Sequence, residues 1–489
     1  MKLRLSDLWR WDGTITRGPY AVIGLLGFAL KHNLDRFVAM LVFHRPWGLF
    51  NYWIPPTRAL RITSLPRADQ TFLATMLATA LPFIWVGVVL TLRRLRDAGL
   101  PPGLVVVFFL PVVNLVFFAL LSVMPTRLPK GFEELESGGR MRAFLDRAIP
   151  ESELASAALA VLLTVTFGVA ATILSTAGLS RYGWSLFVAL PFVLGLGSVL
   201  IYGYHRPRGY TSCLAVAAIS ILLLGFGLLA VAIEGAICLA MAAPLALVIA
   251  SIGASIGYVI QRRPQTMHPA PSMMLVLLLS VPGLMGVEHA APPEPPVFAV
   301  RSSIEIAAPP EEVWRQVVSF AEIPPPEDPL FRLGIAYPTR ATIEGRGVGA
   351  VRHCVFSTGA FVEPIEVWDE PHLLRFSVAA NPPPMQEWTP YKEIHPPHLH
   401  GFLVSRQGQF LLTPLAGNRT RLEGTTWYQH HLWPADYWQL WSDTVIHHIH
   451  LRVLRHIKRQ AERSRAEQQA HSAFDSVLQP ALRATNAQP

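Results

Sequence analysis

Polar and apolar positions follow two different rhythms along the 489 residues. Up to about residue 290 the chain is a series of long apolar runs near 19–43, 70–91, 103–123, 152–177, 183–203, 212–232, 236–260 and 271–287, separated by short basic loops. Runs of roughly 20 apolar residues are what a helix needs to cross a bilayer. Beyond residue 290 no run approaches that length, and the pattern turns to period-two alternation and helical stripes. The reading is a multi-span α-helical membrane domain followed by an α+β domain, with "EHAAPPEPPV" at 288–297 as a Pro-rich tether between them.

The loops argue the topology. If all eight runs cross and the N-terminus is inside, Arg127, Lys130, Arg140, Arg142, Arg206 and Arg208 fall outside, against the positive-inside rule. Pro111 and Asn114 stand in the middle of "GLVVVFFLPVVNLVFFALLSV", where they favour a re-entrant bend with both ends on one side. Seven crossings then bring most of the basic loops inside and carry the C-terminal domain to the extracytoplasmic face of a bacterial inner membrane. Within the first run Lys31 and Asp35 are spaced i, i+4 and share a helical face. Either they pair against other helices or water, or the span is shorter and they lie at the interface. Glu234, in "AIEGAICLAMAAPLAL", either caps a tight helical hairpin or lines a pathway; its loop position favours the cap.

In the C-terminal half "VFAVRSSIEI" alternates as a strand and "APPEEVWRQVVSF" opens a helix with Pro and Glu in its first turn. Residues 337–380 hold four strand-like runs punctuated by "GRGVG", "STG" and "DEP". An irregular insertion follows, then a hairpin joined across "PLAGN", then a long helix from Pro434 to about residue 468. Residues 469–489 read as a disordered polar tail. A curved antiparallel sheet closed by one amphipathic helix encloses an apolar cavity.

Composition changes this little. The chain is 51% hydrophobic with 15% charged residues. Its net charge of +8 sits mostly in loops flanking apolar runs, so no nucleic-acid partner is expected. Cys213, Cys238 and Cys354 are too few and too divided for a disulfide framework or a Cys-based zinc site.

Two resemblances add to this. "SIEIAAPPEEVWRQVVSFAEIP", "GVGAVRHCVFSTG", "LEGTTWY" and the final helix resemble the START and polyketide-cyclase-like helix-grip superfamily over roughly residues 298–465. That likeness implies the fold, and a cavity for a lipid or another lipophilic molecule, with catalysis in some members. "WRWDGTITRGPY", "RRLRDAGLPPG" and "LPVVNLVFFAL" in the first 125 residues resemble a small bacterial inner-membrane family of unknown function with an Arg-Arg-Leu-His-Asp motif. Arg96 stands here where His is usual, and the motif reads as a cytoplasmic anchor. Residues 1–130 are thus one membrane segment, 131–287 further transmembrane helices, and 298–468 the helix-grip domain.

The stretch from Gly424 to His450 concentrates four Trp and five His. On a helix Tyr437, Trp441, Thr444, His448 and Leu451 form one stripe, expected to face the cavity and bind ligand together with Tyr428. Asp443, His447 and His450 fall on another face with a spacing that permits a metal, although Cys ligands and an HExxH motif are missing, and no cofactor is expected. His395, His398 and His400 make a second His group. Polar candidates for the cavity are Arg352, His353, Glu363, Glu366, Arg375 and Glu423, with strand parity leaving open which point inward; Arg352 and Arg375 are expected to face solvent.

The expected function is a membrane-anchored module binding a lipophilic small molecule or lipid. The alternatives are a cyclase, hydrolase or dehydratase using His448 as acid or base, and a regulated transporter.

Overall fold

The computed structural model describes residues 9–52, 66–126, 140–262, 271–391, 394 and 396–485. Arg127, Lys130 and His395 lie outside them. The chain divides into two compact units, residues 1–294 with 389–394, and residues 295–388 with 395–489.

The first unit is helical: α1 (Arg17–Phe43), α2 (Arg67–Asp97), α3 (Val113–Val123), α4 (Arg140–Ala148), α5 (Glu153–Ile173, continued as a wider turn to Gly178), α6 (Ser185–Tyr202), α7 (Tyr210–Ala230), α8 (Ala236–Gln261) and α9 (Pro271–Ala290). Among the described residues six helices, α2 and α5 to α9, are long and apolar enough to cross a membrane. The run 103–123 is not one helix. A tight 3-10 segment (Pro102–Phe109) ends before Pro111, Val112 takes a positive φ of 65°, and α3 has only 11 residues. At 1.5 Å per residue α3 is about 16 Å long, half of a bilayer core.

Helix α6 is the buried centre, and its contact with α8 depends on glycine. A Cβ on Gly195 would stand 2.0 Å from the Ala250 carbonyl oxygen, and one on Gly253 would stand 2.3 Å from that of Phe192. Without side chains at these positions the two backbones touch, the usual device of helix pairs in lipid. Gly195→Ala should therefore cost about 1–3 kcal/mol or more by overpacking, read as a lower thermal aggregation temperature of the detergent-solubilised chain.

Several charged residues of this unit are internal. Lys31 and Asp35 pair within α1, both buried. Glu234, between α7 and α8, accepts a hydrogen bond from the Tyr182 hydroxyl at 2.6 Å. Glu288, near the end of α9, accepts from the Ser185 hydroxyl and from the Ser185 backbone N–H at the start of α6. The expected tether therefore begins later, since helix α9 continues to Ala290. Both arginines of the Arg-Arg-Leu motif are buried. Arg94 is fully buried, paired with Asp97, and donates to the carbonyls of Leu121 (2.9 Å) and Met124 at the end of α3. Carbonyls at a helix end lack intrahelical donors, and a guanidinium supplies several in one plane.

The second unit is α+β: β1 (Val297–Ile306), α10 (Pro310–Val318), α11 (Pro329–Arg332), β2 (Pro338–Glu344), β3 (Val351–Phe356), β4 (Gly359–Asp369), β5 (Leu373–Ser377), β6 (Leu403–Leu415), β7 (Arg419–His430) and α12 (Ala435–Thr485). The strands form one antiparallel sheet in the order β1-β7-β6-β5-β4-β3-β2. Two helices follow β1, and the last helix packs on the sheet, which is the helix-grip arrangement. Trp314, Val317, Ile365, Leu374, Leu422 and Leu454 lie in the core between them. Helix α12 continues to Thr485, so residues 469–485 of the expected disordered tail are helical, and 486–489 lie outside the described residues.

Candidate functional site

A cavity of about 140 Å³ lies inside the second unit. Its walls come from β3 to β7, from Asn381–Pro384 after β5, and from one stripe of α12. On that helix the lining residues are Val445, Ile446, Ile449, His450, Val453 and Leu454, successive turns of one aliphatic face. From the sheet come Phe356, Phe361, Phe376 and Phe410. Gly408 makes room for one of these rings, because a Cβ there would stand 2.5 Å from the Phe376 ring.

None of Tyr428, Tyr437, Trp441, Thr444, His448 and Leu451 is among the lining residues. The stripe expected to face the cavity is rotated away from it, because the face of α12 that meets the sheet is the aliphatic one. Trp441 and Thr444 are exposed, and the Thr444 hydroxyl bonds back to the Leu440 carbonyl. His448 is half-exposed, with Nδ1 2.6 Å from Asp328 Oδ2. Burial pushes the Asp328 carboxyl up, but hydrogen bonds from His448 and the Leu330 N–H hold it below its usual value. Tyr428 is fully buried on the helix-facing side of β7 beside Val300 and Ile446, and its hydroxyl donates to Asp443 at 2.6 Å.

The other face carries the polar contacts. Asp443 also accepts from Gln439 at 3.1 Å, whereas His447 and His450 both bond the Ser302 hydroxyl of β1, at 2.7 and 3.1 Å. Among the described residues these three do not converge as metal ligands. His450 alone of them reaches the cavity, with Nε2 2.8 Å from the Thr426 hydroxyl. Burial, helped by neighbouring His447, pushes its pKa down to about 4, so it is neutral at pH 7. His398 is buried 3.4 Å from a carboxylate oxygen of Glu387.

Among the polar strand candidates the structure separates inward from outward. His353 lies near Glu344, Glu366 accepts from Gln407, Arg375 donates to Gln409, and Glu423 pairs with Arg301, none of them in the cavity wall. Arg352 and Glu363 line it and form a buried ion pair across β3 and β4. Arg352, expected to face solvent, is 1% exposed. A signal for this existed in the sequence. The two-residue turn Ser357–Thr358 fixes the register of the hairpin and puts Arg352 opposite Glu363. Burial pushes the Glu363 carboxyl up against the pull of the guanidinium, and pushes the nearby Cys354 thiol up to about 12.

The solved structures to which this chain is similar are distant. A norcoclaurine synthase of Thalictrum flavum, a point mutant in complex with a transition state analogue, is 12% identical; the match covers 35% of this chain and 99% of that one, with a TM-score of 0.24. An aromatase/cyclase from Streptomyces sp. R1128 is 15% identical over 34% of this chain and 95% of its own, with a TM-score of 0.22. A protein of Nitrosomonas europaea is 14% identical over 35% and 97%, also with a TM-score of 0.22. No protein-family profile matches the chain and no curated protein matches it, so the likeness of the first 125 residues to an inner-membrane family gains no support. The fold class rests on the chain's own strands: a helical unit with membrane-spanning potential, followed by a helix-grip unit.

Proposed function

We propose that this is a membrane-anchored binding module whose helix-grip domain takes a lipophilic molecule from the bilayer or returns it there. The observation that carries the proposal is the cavity lined by four Phe and the aliphatic stripe of α12. Its volume refines the ligand. Pockets for drug-sized ligands span about 300–1,000 Å³, and a cavity of about 150 Å³ takes benzene. At about 140 Å³ this one encloses a single ring or the end of a chain, not a whole lipid. With α1 crossing in addition to the six long apolar helices, seven crossings carry the domain to the outer face of a bacterial inner membrane, the setting that the basic loops favour.

The catalytic alternative would fall to His450. With a pKa near 4 it is a poor base at neutral pH, so binding is the better reading.

Gly424 supplies the test. It lines the cavity, and its Cβ position meets only ordinary contacts, Phe410 at 3.7 Å and Leu454 at 3.8 Å. Gly424→Leu should fill the space. Mass spectrometry of extracts from the purified full chain should find a lipophilic molecule that the variant lacks, at equal circular dichroism. Identical extracts from both proteins would count against the proposal.

A further inference from the structure

The cavity wall holds two buried polar atoms without a hydrogen-bond partner, and the charged one is on Arg352. Arg352 Nη1 is taken by Glu363, and Nε donates to the Val318 carbonyl at 3.3 Å. Nη2 is buried and has no hydrogen-bond partner. Around the guanidinium stand the rings of Phe320, Phe376 and Phe410, 5.6 to 5.7 Å away. The Cys354 thiol is close enough to the guanidinium to act as a weak hydrogen-bonding neighbour, but it stays protonated and sulfur is a poor acceptor, so it does not replace an oxygen. The Thr425 hydroxyl, in the same wall, is a second buried polar group without a partner. Unsatisfied buried donors are rare because each forfeits its hydration without replacement.

We infer that the ligand of this cavity is a small, uncharged carbonyl compound, its ring or short chain among the phenylalanines and its C=O oxygen on Arg352 Nη2. This rests on the binding function proposed above and adds the ligand's chemical class. Charge separates a ketone, ester or amide from a carboxylate. Glu363 already neutralises Arg352, so a carboxylate would leave the apolar chamber with a net negative charge, which a low-dielectric interior disfavours. A neutral carbonyl supplies the missing acceptor and leaves the pair balanced.

Three ring compounds of similar size distinguish the cases: acetophenone, its hydrocarbon analogue α-methylstyrene with CH₂ in place of the oxygen, and benzoate. Affinities for the full chain in detergent are measured by calorimetry, and carbonyl-¹³C acetophenone is followed by NMR. Acetophenone should bind about tenfold or more tightly than α-methylstyrene, as expected for a hydrogen bond to a charged donor, with a downfield carbonyl shift, and benzoate should bind more weakly than acetophenone.

The paired substitution Arg352→Met with Glu363→Leu removes both charges together. It should abolish the preference and the shift while α-methylstyrene still binds. Equal affinities for acetophenone and α-methylstyrene in the native chain, or tighter binding of benzoate, would overturn the inference and leave the cavity as a binding site. Retention of the preference in the double variant would overturn it as well. If none of the three binds, the binding function itself fails.

Discussion

Arg352→Met alone should destabilise the helix-grip unit by about 3–5 kcal/mol, the usual cost of leaving one half of a buried ion pair behind. Glu363 is 6% exposed, and without the guanidinium its carboxyl must either stay charged in an apolar wall or take up a proton. The double substitution Arg352→Met with Glu363→Leu should recover most of the loss, because a buried pair replaced by apolar groups of similar size is often neutral or better. Denaturant midpoints followed by near-ultraviolet circular dichroism would report both. A single variant as stable as the double would mean that the pair is not coupled as its geometry requires. Combined with the ligand comparison, this separates what the pair does for the fold from what it does for recognition.

Acid should loosen the same unit well above the pH at which ordinary carboxylates titrate. Burial pushes His430 and His450 down to about 4, against a usual 6.5. Between those values the unfolded chain binds protons that the folded chain refuses, so stability falls as pH falls. Each histidine contributes about 1.4 kcal/mol per pH unit in that window, or about 3 kcal/mol over its full width. Unfolding midpoints at pH 7, 6, 5 and 4.5 should decline steadily, and the decline should be shallower by about one proton in His450→Gln. A flat profile from pH 7 to 5 would contradict the buried, neutral state of both rings.

The local patterns were informative where a short stretch answers the question alone. Pro310 with Glu311 and Glu312 sets the start of α10, the turn residues between 337 and 380 delimit four strands, and Pro111 breaks the apolar run 103–123. Lys31 and Asp35 pair at the spacing that puts them on one helical face. The motif at Arg94 was legible as basic but not as buried. Its acceptors are the Leu121 and Met124 carbonyls, 27 and 30 residues away, and a local reading cannot see which carbonyls a guanidinium will reach.

The site divides in the same way. Helix α12 carries an aromatic face with Tyr437 and Trp441, and beside it an aliphatic one with Val445, Ile449 and Val453. Periodicity shows that both exist, since 3.6 residues per turn fixes which positions align. It does not show which face the sheet covers, and weighting the aromatic residues selects the outward one. The sequence by itself determined the two-part architecture, the order of strands and helices, and the presence of an amphipathic closing helix, because each follows from hydrophobic period and turn chemistry over short spans. Only the tertiary structure decided that His450 and not His448 lines the cavity, and that Arg352 is enclosed with one donor unspent. Both depend on how α12 is rotated and how the sheet curls, and those are set by contacts between residues far apart in the chain.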